Sequence, residues 1–154
     1  LWNGPVLQLT GLSWKQGDST GTGKLEINLA GASPQYKLSG RIDDPAWRDG
    51  ELSVDGVLTA AGTGPALLDS ALAEGTFEAT NITLAPDAAF DSIAGAFQFA
   101  PGKDAGQLRL LSVQATQEQE TFAGQGGSQL DGRILLELSS GKRQIRELTA
   151  GLSH

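Results

Sequence analysis

Apolar and polar residues alternate along much of the chain, and this alternation predicts β-strands with one buried face. The clearest runs are residues 25–29, 36–42, 52–60 and 134–138. Clusters of Gly, Pro, Asp and Ser separate the runs, and such clusters are typical of turns. Strand centres recur about every 10 to 15 residues, a spacing that favours an antiparallel meander or sandwich.

In four runs the apolar positions change phase. The changes fall between Leu9 and Leu12, Ala79 and Ile82, Leu110 and Leu111, and Ile145 and the group Leu148, Ala150 and Leu152. Side chains alternate with period two, so a phase change moves the apolar set to the other face unless a bulge absorbs one residue. The sequence therefore predicts either bulges or strands that pass from one layer to another.

One segment breaks the alternation and predicts a short helix over residues 65–74. Pro65 suits the first helical turn, Leu67, Leu68, Ala71 and Leu72 form an apolar stripe, and Gly75 suits the end. A helix of this length needs to dock on a sheet to be stable.

The patterns together predict an all-β, mainly antiparallel fold. We expect one domain over residues 1–154, built as a bent sheet or a flattened sandwich, with the single short helix. The sequence contains no Met, and we interpret it as a segment of a longer protein.

Composition narrows the possible functions. A net charge of −7 gives no electrostatic basis for binding phosphate backbones, so we expect no nucleic-acid partner. The chain has no Cys and a single His, His154, which argues against disulfides, thiolate nucleophiles, Ser–His triads and multi-histidine metal sites. No pair of carboxylates stands out as catalytic. We therefore expect no enzyme, with no catalytic residue, metal or cofactor.

Two groups of residues leave alternatives open. The acidic residues Asp43, Asp44, Asp49, Glu51 and Asp55 offer oxygen ligands for calcium, but their spacing is not that of an EF-hand, and a solvated turn is the favoured interpretation. The Trp, Tyr and Phe residues suit either a sugar-stacking or lipid-contacting surface or ordinary core packing. Trp47, in a polar turn, is a candidate for partial exposure.

The centre of the chain resembles the AsmA-like family. Residues 56–64 (GVLTAAGTG) and 67–79 (LLDSALAEGTFEA) give the succession of strand, small-residue turn, Leu-rich helix, Gly and strand found in the C-terminal region of such proteins. The flanking segments 36–40 and 90–97 fit, and 122–126 with 131–138 is similar to their closing strands.

This resemblance implies a location and a function. AsmA-like proteins, related to TamB-type envelope proteins, are anchored in the inner membrane and carry a periplasmic β-rich body linked to outer-membrane lipid homeostasis and phospholipid transport. The resemblance therefore implies that this chain is a fragment of a longer, membrane-anchored protein and that its sheet is taco-like. It implies phospholipid or other acyl chains as ligands, bound in an apolar groove, with possible envelope protein partners. The groove candidates are Phe77, Ile82, Phe97, Phe99, Leu108 and Leu110.

Two other functions fit the same pattern. A structural or protein-interaction β module would bind no ligand and would pair through a sheet edge. A carbohydrate-binding module would need exposed, coplanar aromatic side chains.

Overall fold

Eleven antiparallel strands follow one another in chain order and form a single sheet. The computed structural model describes residues 2–85, 88–101, 107–129, 131 and 133–149. The strands are β1 (Trp2–Asn3), β2 (Val6–Gln16), β3 (Ser19–Asn28), β4 (Gln35–Trp47), β5 (Gly50–Ala61), β6 (Leu72–Ala85), β7 (Ala88–Ala100), β8 (Gln107–Gln117), β9 (Glu120–Ser128), β10 (Ile134–Ser139) and β11 (Gln144–Thr149). Each strand pairs with the next, and β1 and β11 do not pair with each other in the described residues, so the sheet is open.

This architecture confirms the prediction of an all-β, bent antiparallel sheet with one short helix. The strands belong to one sheet rather than to the two sheets of a sandwich. Tight hairpins explain part of this sequential order, because the two-residue connections between β2 and β3, β4 and β5, and β8 and β9 make those neighbours pair. Arg48 and Asp49 have φ angles of 49° and 70°, and Glu118 and Gln119 have 47° and 70°, the left-handed conformation that such turns require.

Bulges account for the phase changes in β2 and β8. The pairing register shifts between Leu9 and Leu12, where Gly11 has a φ of 68°, and between Leu110 and Val113, where Ser112 has a φ of 50°. The extra residue in each case returns the apolar side chains to the same face.

The other two phase changes coincide with no shift in the pairing register, which runs unbroken from Thr80–Ser92 to Ile82–Phe90 between β6 and β7. In β6, Asn81 has a φ of 54°, and both Ala79 and Ile82 are 1% exposed. In β11 the register with β10 is unbroken from Gln144 to Thr149, so no bulge occurs there. Ala150 and Leu152, which completed the fourth change, lie outside the described residues.

The helix α1 (Pro65–Asp69) is shorter than the predicted 65–74. The Ser70 side chain accepts a hydrogen bond from the Ala61 N–H and donates one to the Ala61 carbonyl, both at 2.8 Å. This pair of bonds ties the chain to the end of β5, and Leu72 already pairs with Thr59 as the first residue of β6. No residue of α1 is buried and Leu68 is 72% exposed, so the helix does not cover the apolar face of the sheet.

A row of glycines crosses four adjacent strands. Gly23, Gly40, Gly56 and Gly75 are paired in register from β3 to β6. A Cβ on Gly40 would lie 2.3 Å from the Thr22 carbonyl oxygen, and one on Gly75 would lie 2.0 Å from that of Asp55. Neighbouring backbones therefore approach one another along this row to a degree that only glycine permits.

The hydrophobic core lies between β4 and β10, towards the ends of the strands that carry the 47–50 and 117–120 hairpins. Its most fully enclosed large side chains are Phe122, Ile82 and Val113. Strands β2 and β3 contribute no side chain to this core cluster. In the described part of the chain, α1 is the one helix, and it is neither long nor apolar enough to cross a membrane.

Candidate apolar ligand site

Side chains of one face form rows that run across the strands, because the register pairs apolar positions with apolar positions. One row is Trp14, Gly21, Ile42, Val54, Phe77 and Gly95, from β2 to β7. The next row on the same face lies two residues further along each strand and is the glycine row described above. It continues from Gly75 to Phe97 of β7 and then to Leu110 of β8. The apolar face is thus continuous from the uncovered N-terminal strands into the core.

This face encloses a cavity of about 230 Å³ where the sheet curls. Val54 of β5 and Ile134 of β10 both line it, although four strands separate β5 from β10 in the order of the sheet. Of the fourteen lining residues within the described ranges, thirteen are apolar and the remaining one is Arg48. The volume exceeds the roughly 150 Å³ of a cavity that binds benzene, but falls short of the 300–1,000 Å³ usual for drug-sized ligands.

Five of the six predicted groove residues line this cavity, namely Phe77, Ile82, Phe97, Leu108 and Leu110. Ile82 is 1% exposed and belongs to the core, whereas the other four are half-buried. Half-buried side chains at a cavity wall can contact both the core and a ligand, so those four are the stronger candidates.

Phe99 lies away from the cavity, although it shares the face of Phe97. It pairs with Ala73 and Leu108 near the end of β7 and lines a separate depression that also includes Leu72 and Arg109. Its direct partner Leu108 lies at the same level of the sheet and does line the cavity, so neither the face nor the position along the strand accounts for the difference.

Several cavity residues were not predicted from the sequence. Trp47, Val54, Ile134 and Leu136 also line the cavity. Trp47 is 7% exposed, so the partial exposure considered for it is wrong. Val54, Ile134 and Leu136 occupy apolar positions of predicted strands. The alternation therefore predicts which face they lie on, but it does not predict which strands face each other across the cavity.

The N-terminal half of the same face is uncovered. Leu9, Trp14, Ile42 and Leu58 are between 38% and 43% exposed, all on the apolar side of β2, β4 and β5. Ile42 pairs directly with Val54, so this open surface begins where the cavity ends. A contiguous exposed apolar surface of this kind is characteristic of an interaction or ligand site.

The opposite face is polar and carries an ion network centred on Arg41. Its guanidinium donates to Asp43 at 2.9 Å, to Asp55 at 3.0 Å and to the Ser53 hydroxyl at 2.8 Å. The Ser53 hydroxyl donates to Asp43 at 2.5 Å, and this bond, with Arg41, holds the pKa of Asp43 below its ordinary value.

These contacts describe the acidic residues considered for calcium. Asp43 and Asp55 share Arg41, while the buried Asp44 accepts hydrogen bonds from the Ser19 hydroxyl at 3.0 Å and from the Ala46 N–H at 3.1 Å. Within the described ranges, no three acidic or histidine side chains converge on a point suited to a metal ion.

A second, shallower depression of about 810 Å³ lies on the polar face above the glycine row. Its walls carry Lys24 and Arg41 beside Asp55 and Glu74, so both charges are present together. This mixture selects no single ligand chemistry, in contrast to the apolar cavity.

Aromatic side chains do not form a flat exposed platform in the part of the chain that the structure describes. Among the aromatic side chains that the structure describes, Trp14 is the most exposed, at 41%, and its indole lies against Gly21 of the sheet. Phe90 and Phe122 are buried in the core. Of these described side chains, only Trp14 is placed for sugar stacking.

Comparisons of the chain with protein-family models, curated proteins and solved structures found no match.

Proposed function

We propose that this chain is a periplasmic segment of an AsmA-like protein that acts in envelope lipid homeostasis or phospholipid transport by holding acyl chains on its apolar face. The observation that carries the proposal is the apolar cavity, which is continuous with an uncovered apolar sheet face. The family assignment, the periplasmic location and the anchoring of the parent protein in the inner membrane rest on the sequence resemblance described above.

The dimensions suit part of an acyl chain. A volume of about 230 Å³ holds about eight groups of the size of a water molecule, each of which occupies about 30 Å³ in the liquid. Each methylene removed from water contributes about 0.8 kcal/mol, so about eight of them contribute about 6 kcal/mol before the cost of association. The rest of a long chain would lie over Ile42 and Leu58 on the open face.

Native mass spectrometry of the purified chain, followed by organic extraction, tests the proposal directly. We expect a bound phospholipid or fatty acid at near-unit stoichiometry, or its uptake when the chain is incubated with dodecanoic acid. An apo mass that persists with dodecanoic acid in excess would overturn the proposal for this segment.

Cavity filling locates the binding site. Val54→Phe places extra volume inside the cavity and should reduce dodecanoic acid binding at least tenfold. Val57→Phe, on the opposite face of β5, is the matched control and should leave binding unchanged. Circular dichroism checks that both variants keep their strand content; equal binding by the two variants would place the acyl chain elsewhere.

Charge insertion gives a second variant. Phe97→Asp should abolish lipid retention with the strand content intact, because Phe97 is a half-buried cavity wall. Global unfolding of Phe97→Asp would instead identify Phe97 as core, and the Val54→Phe result would then decide the question.

An interaction module is the second candidate function, and one observation favours it. β1 pairs only with Val6 and Leu7, so within the described residues the outer edge of β2 is unpaired over residues 8–16. Unpaired edges are templates for strand addition. Sedimentation at two concentrations tests this function, which predicts self-association, and a monomer at both concentrations would exclude pairing between copies.

A further inference from the structure

Arg48 is the one charged residue among the described residues that line the apolar cavity. It occupies the tight turn between β4 and β5 with a φ of 49°, and its carbonyl accepts a hydrogen bond from the Thr83 N–H at 3.1 Å. Its guanidinium carbon lies 5.5 Å from the centre of the Trp47 ring. The turn, the bond to β6 and the stacking on Trp47 hold this cation at one end of the cavity.

From this arrangement we infer that the cavity selects amphiphiles with an anionic head group, whose head lies at Arg48 and whose acyl chain extends between β5 and β10. The inference rests on the proposed function, because it names the ligand class of the same site. Arginine suits this role because its planar guanidinium matches carboxylate and phosphate oxygens in a two-point geometry.

The electrostatic setting makes Arg48 the source of the selectivity. The chain has a net charge of −7, so its overall field does not attract anions. A head-group anion gains only from a cation in direct contact, and the desolvated apolar wall strengthens that contact. Asp49 and Glu51 of the same hairpin are exposed to solvent, where screening weakens their repulsion of the head group.

Arg48 also takes part in other interactions of the fold. A guanidinium offers five N–H donors, so binding a head group does not require Arg48 to be otherwise unpaired.

The length of the site fits one acyl chain. The two ends of the site can be projected onto β5 through the pairing register. The turn that carries Arg48 leads directly into Gly50, the first residue of β5. The far wall at Leu108 corresponds to Leu58, because successive strand pairs link Leu58, Ala73, Phe99 and Leu108. Eight residues of strand at about 3.3 Å each span about 26 Å along β5. A single acyl chain spans about half of the roughly 30 Å hydrocarbon core of a bilayer, so the site is long enough for one, with about eight methylenes inside the cavity and the rest on the open face.

The test compares three ligands with the same tail: dodecanoic acid, dodecyl phosphate and dodecanol, titrated into the whole chain at pH 7.5 below their critical micelle concentrations. We expect at least one of the two anions to bind ten or more times more tightly than the alcohol. The tighter of the two anions distinguishes a fatty acid from a phospholipid head group as the source. Equal affinities for all three ligands would overturn the inference while leaving the proposed function standing, whereas no binding of any ligand would overturn the proposed function.

Variants assign the preference to Arg48. Arg48→Gln should remove the preference for anions and leave the affinity for dodecanol unchanged, and Arg48→Lys should retain part of the preference. Arg109→Gln, an exposed arginine outside the cavity, is the matched control and should behave as the unmodified chain. An equal loss of affinity for all three ligands in Arg48→Gln would show that Arg48 only supports the fold, and would overturn its role as the head-group contact.

Discussion

The indole of Trp14 lies directly over Gly21, with which it pairs across β2 and β3. A Cβ on Gly21 would lie 2.0 Å from Cε2 of Trp14, so the ring occupies the place of a side chain on the neighbouring strand. The ring also reaches Gly23, where a Cβ would lie 3.6 Å from its Cζ3. One aromatic side chain therefore covers glycines on the strand beside it, while remaining 41% exposed.

Gly21→Ala should displace the Trp14 ring, because an exposed side chain can rotate away more easily than a paired backbone can move. We expect the ¹⁹F resonance of 5-fluorotryptophan at position 14 to shift towards its solvent-exposed value, with a loss of less than about 1 kcal/mol in the free energy of unfolding. Gly31→Ala is the control, since its Cβ would approach nothing closer than 3.6 Å. An unchanged Trp14 resonance in Gly21→Ala would contradict this packing.

Gly75→Ala should destabilise the sheet more than Gly21→Ala. Its Cβ would lie 2.0 Å from the Asp55 carbonyl oxygen and 2.7 Å from Cα of Gly56, and backbone cannot rotate away as a side chain does. We expect a loss of about 1–3 kcal/mol, the usual cost of overpacking. Urea denaturation measures it, with Gly141→Ala as the control because a Cβ there meets nothing within 4 Å. If Gly75→Ala and Gly141→Ala were equally stable, β5 and β6 would have to lie further apart at Gly75 than these distances indicate.

The apolar face was predictable because the pleat alone determines it. Alternation placed Leu38, Val54, Phe77 and Phe97 on one side, and the register pairs the same positions across neighbouring strands. The phase changes also carried usable information, because a shift in an otherwise regular pattern marks a bulge, as at Gly11 and Ser112.

The cavity was only partly predictable, because closure is a tertiary property. Val54 and Ile134 meet across it, yet about eighty residues of chain separate them, and no local pattern encodes how far a sheet curls. Phe99 shows the same limit: it lies on the predicted face and pairs with Leu108, which lines the cavity, yet Phe99 lines a separate depression.

The end of the helix illustrates a similar limit. The stripe of Leu67, Leu68, Ala71 and Leu72 predicts a longer helix, but hydrogen bonds between Ser70 and Ala61 return the chain to the sheet. Strand pairing of Leu72 with Thr59 then outweighs the local helical preference, as tertiary contacts commonly do for short helices.

The acid dependence of Asp43 follows from its contacts. The hydrogen bond from Ser53 and the proximity of Arg41 lower its pKa from the ordinary 3.8, so its contribution to stability is present above about pH 4 and is lost as the pH falls through the lowered pKa. Ser53→Ala should raise the pKa of Asp43, measured by carboxyl ¹³C NMR titration. Ser39→Ala, on the same face of β4 but outside this network, should leave that pKa unchanged. If the pKa of Asp43 did not change in Ser53→Ala, its lowering would be due to Arg41 rather than to the Ser53 hydroxyl.

The two-residue turn between β8 and β9, residues 118–119, can be stabilised by a substitution. Gln119 has a φ of 70°, a conformation that costs a residue with a side chain about 1–2 kcal/mol and costs glycine little. Two-residue turns with both residues left-handed favour glycine at the second position, which Gln119 occupies. Gln119→Gly should therefore raise the free energy of unfolding by up to about 1 kcal/mol, since the greater entropy of glycine in the unfolded chain offsets part of the gain. Gln125→Gly, an exposed position inside β9, should instead lower it by about 0.5–1 kcal/mol. A loss of stability in Gln119→Gly equal to that in Gln125→Gly would mean that position 119 is not left-handed.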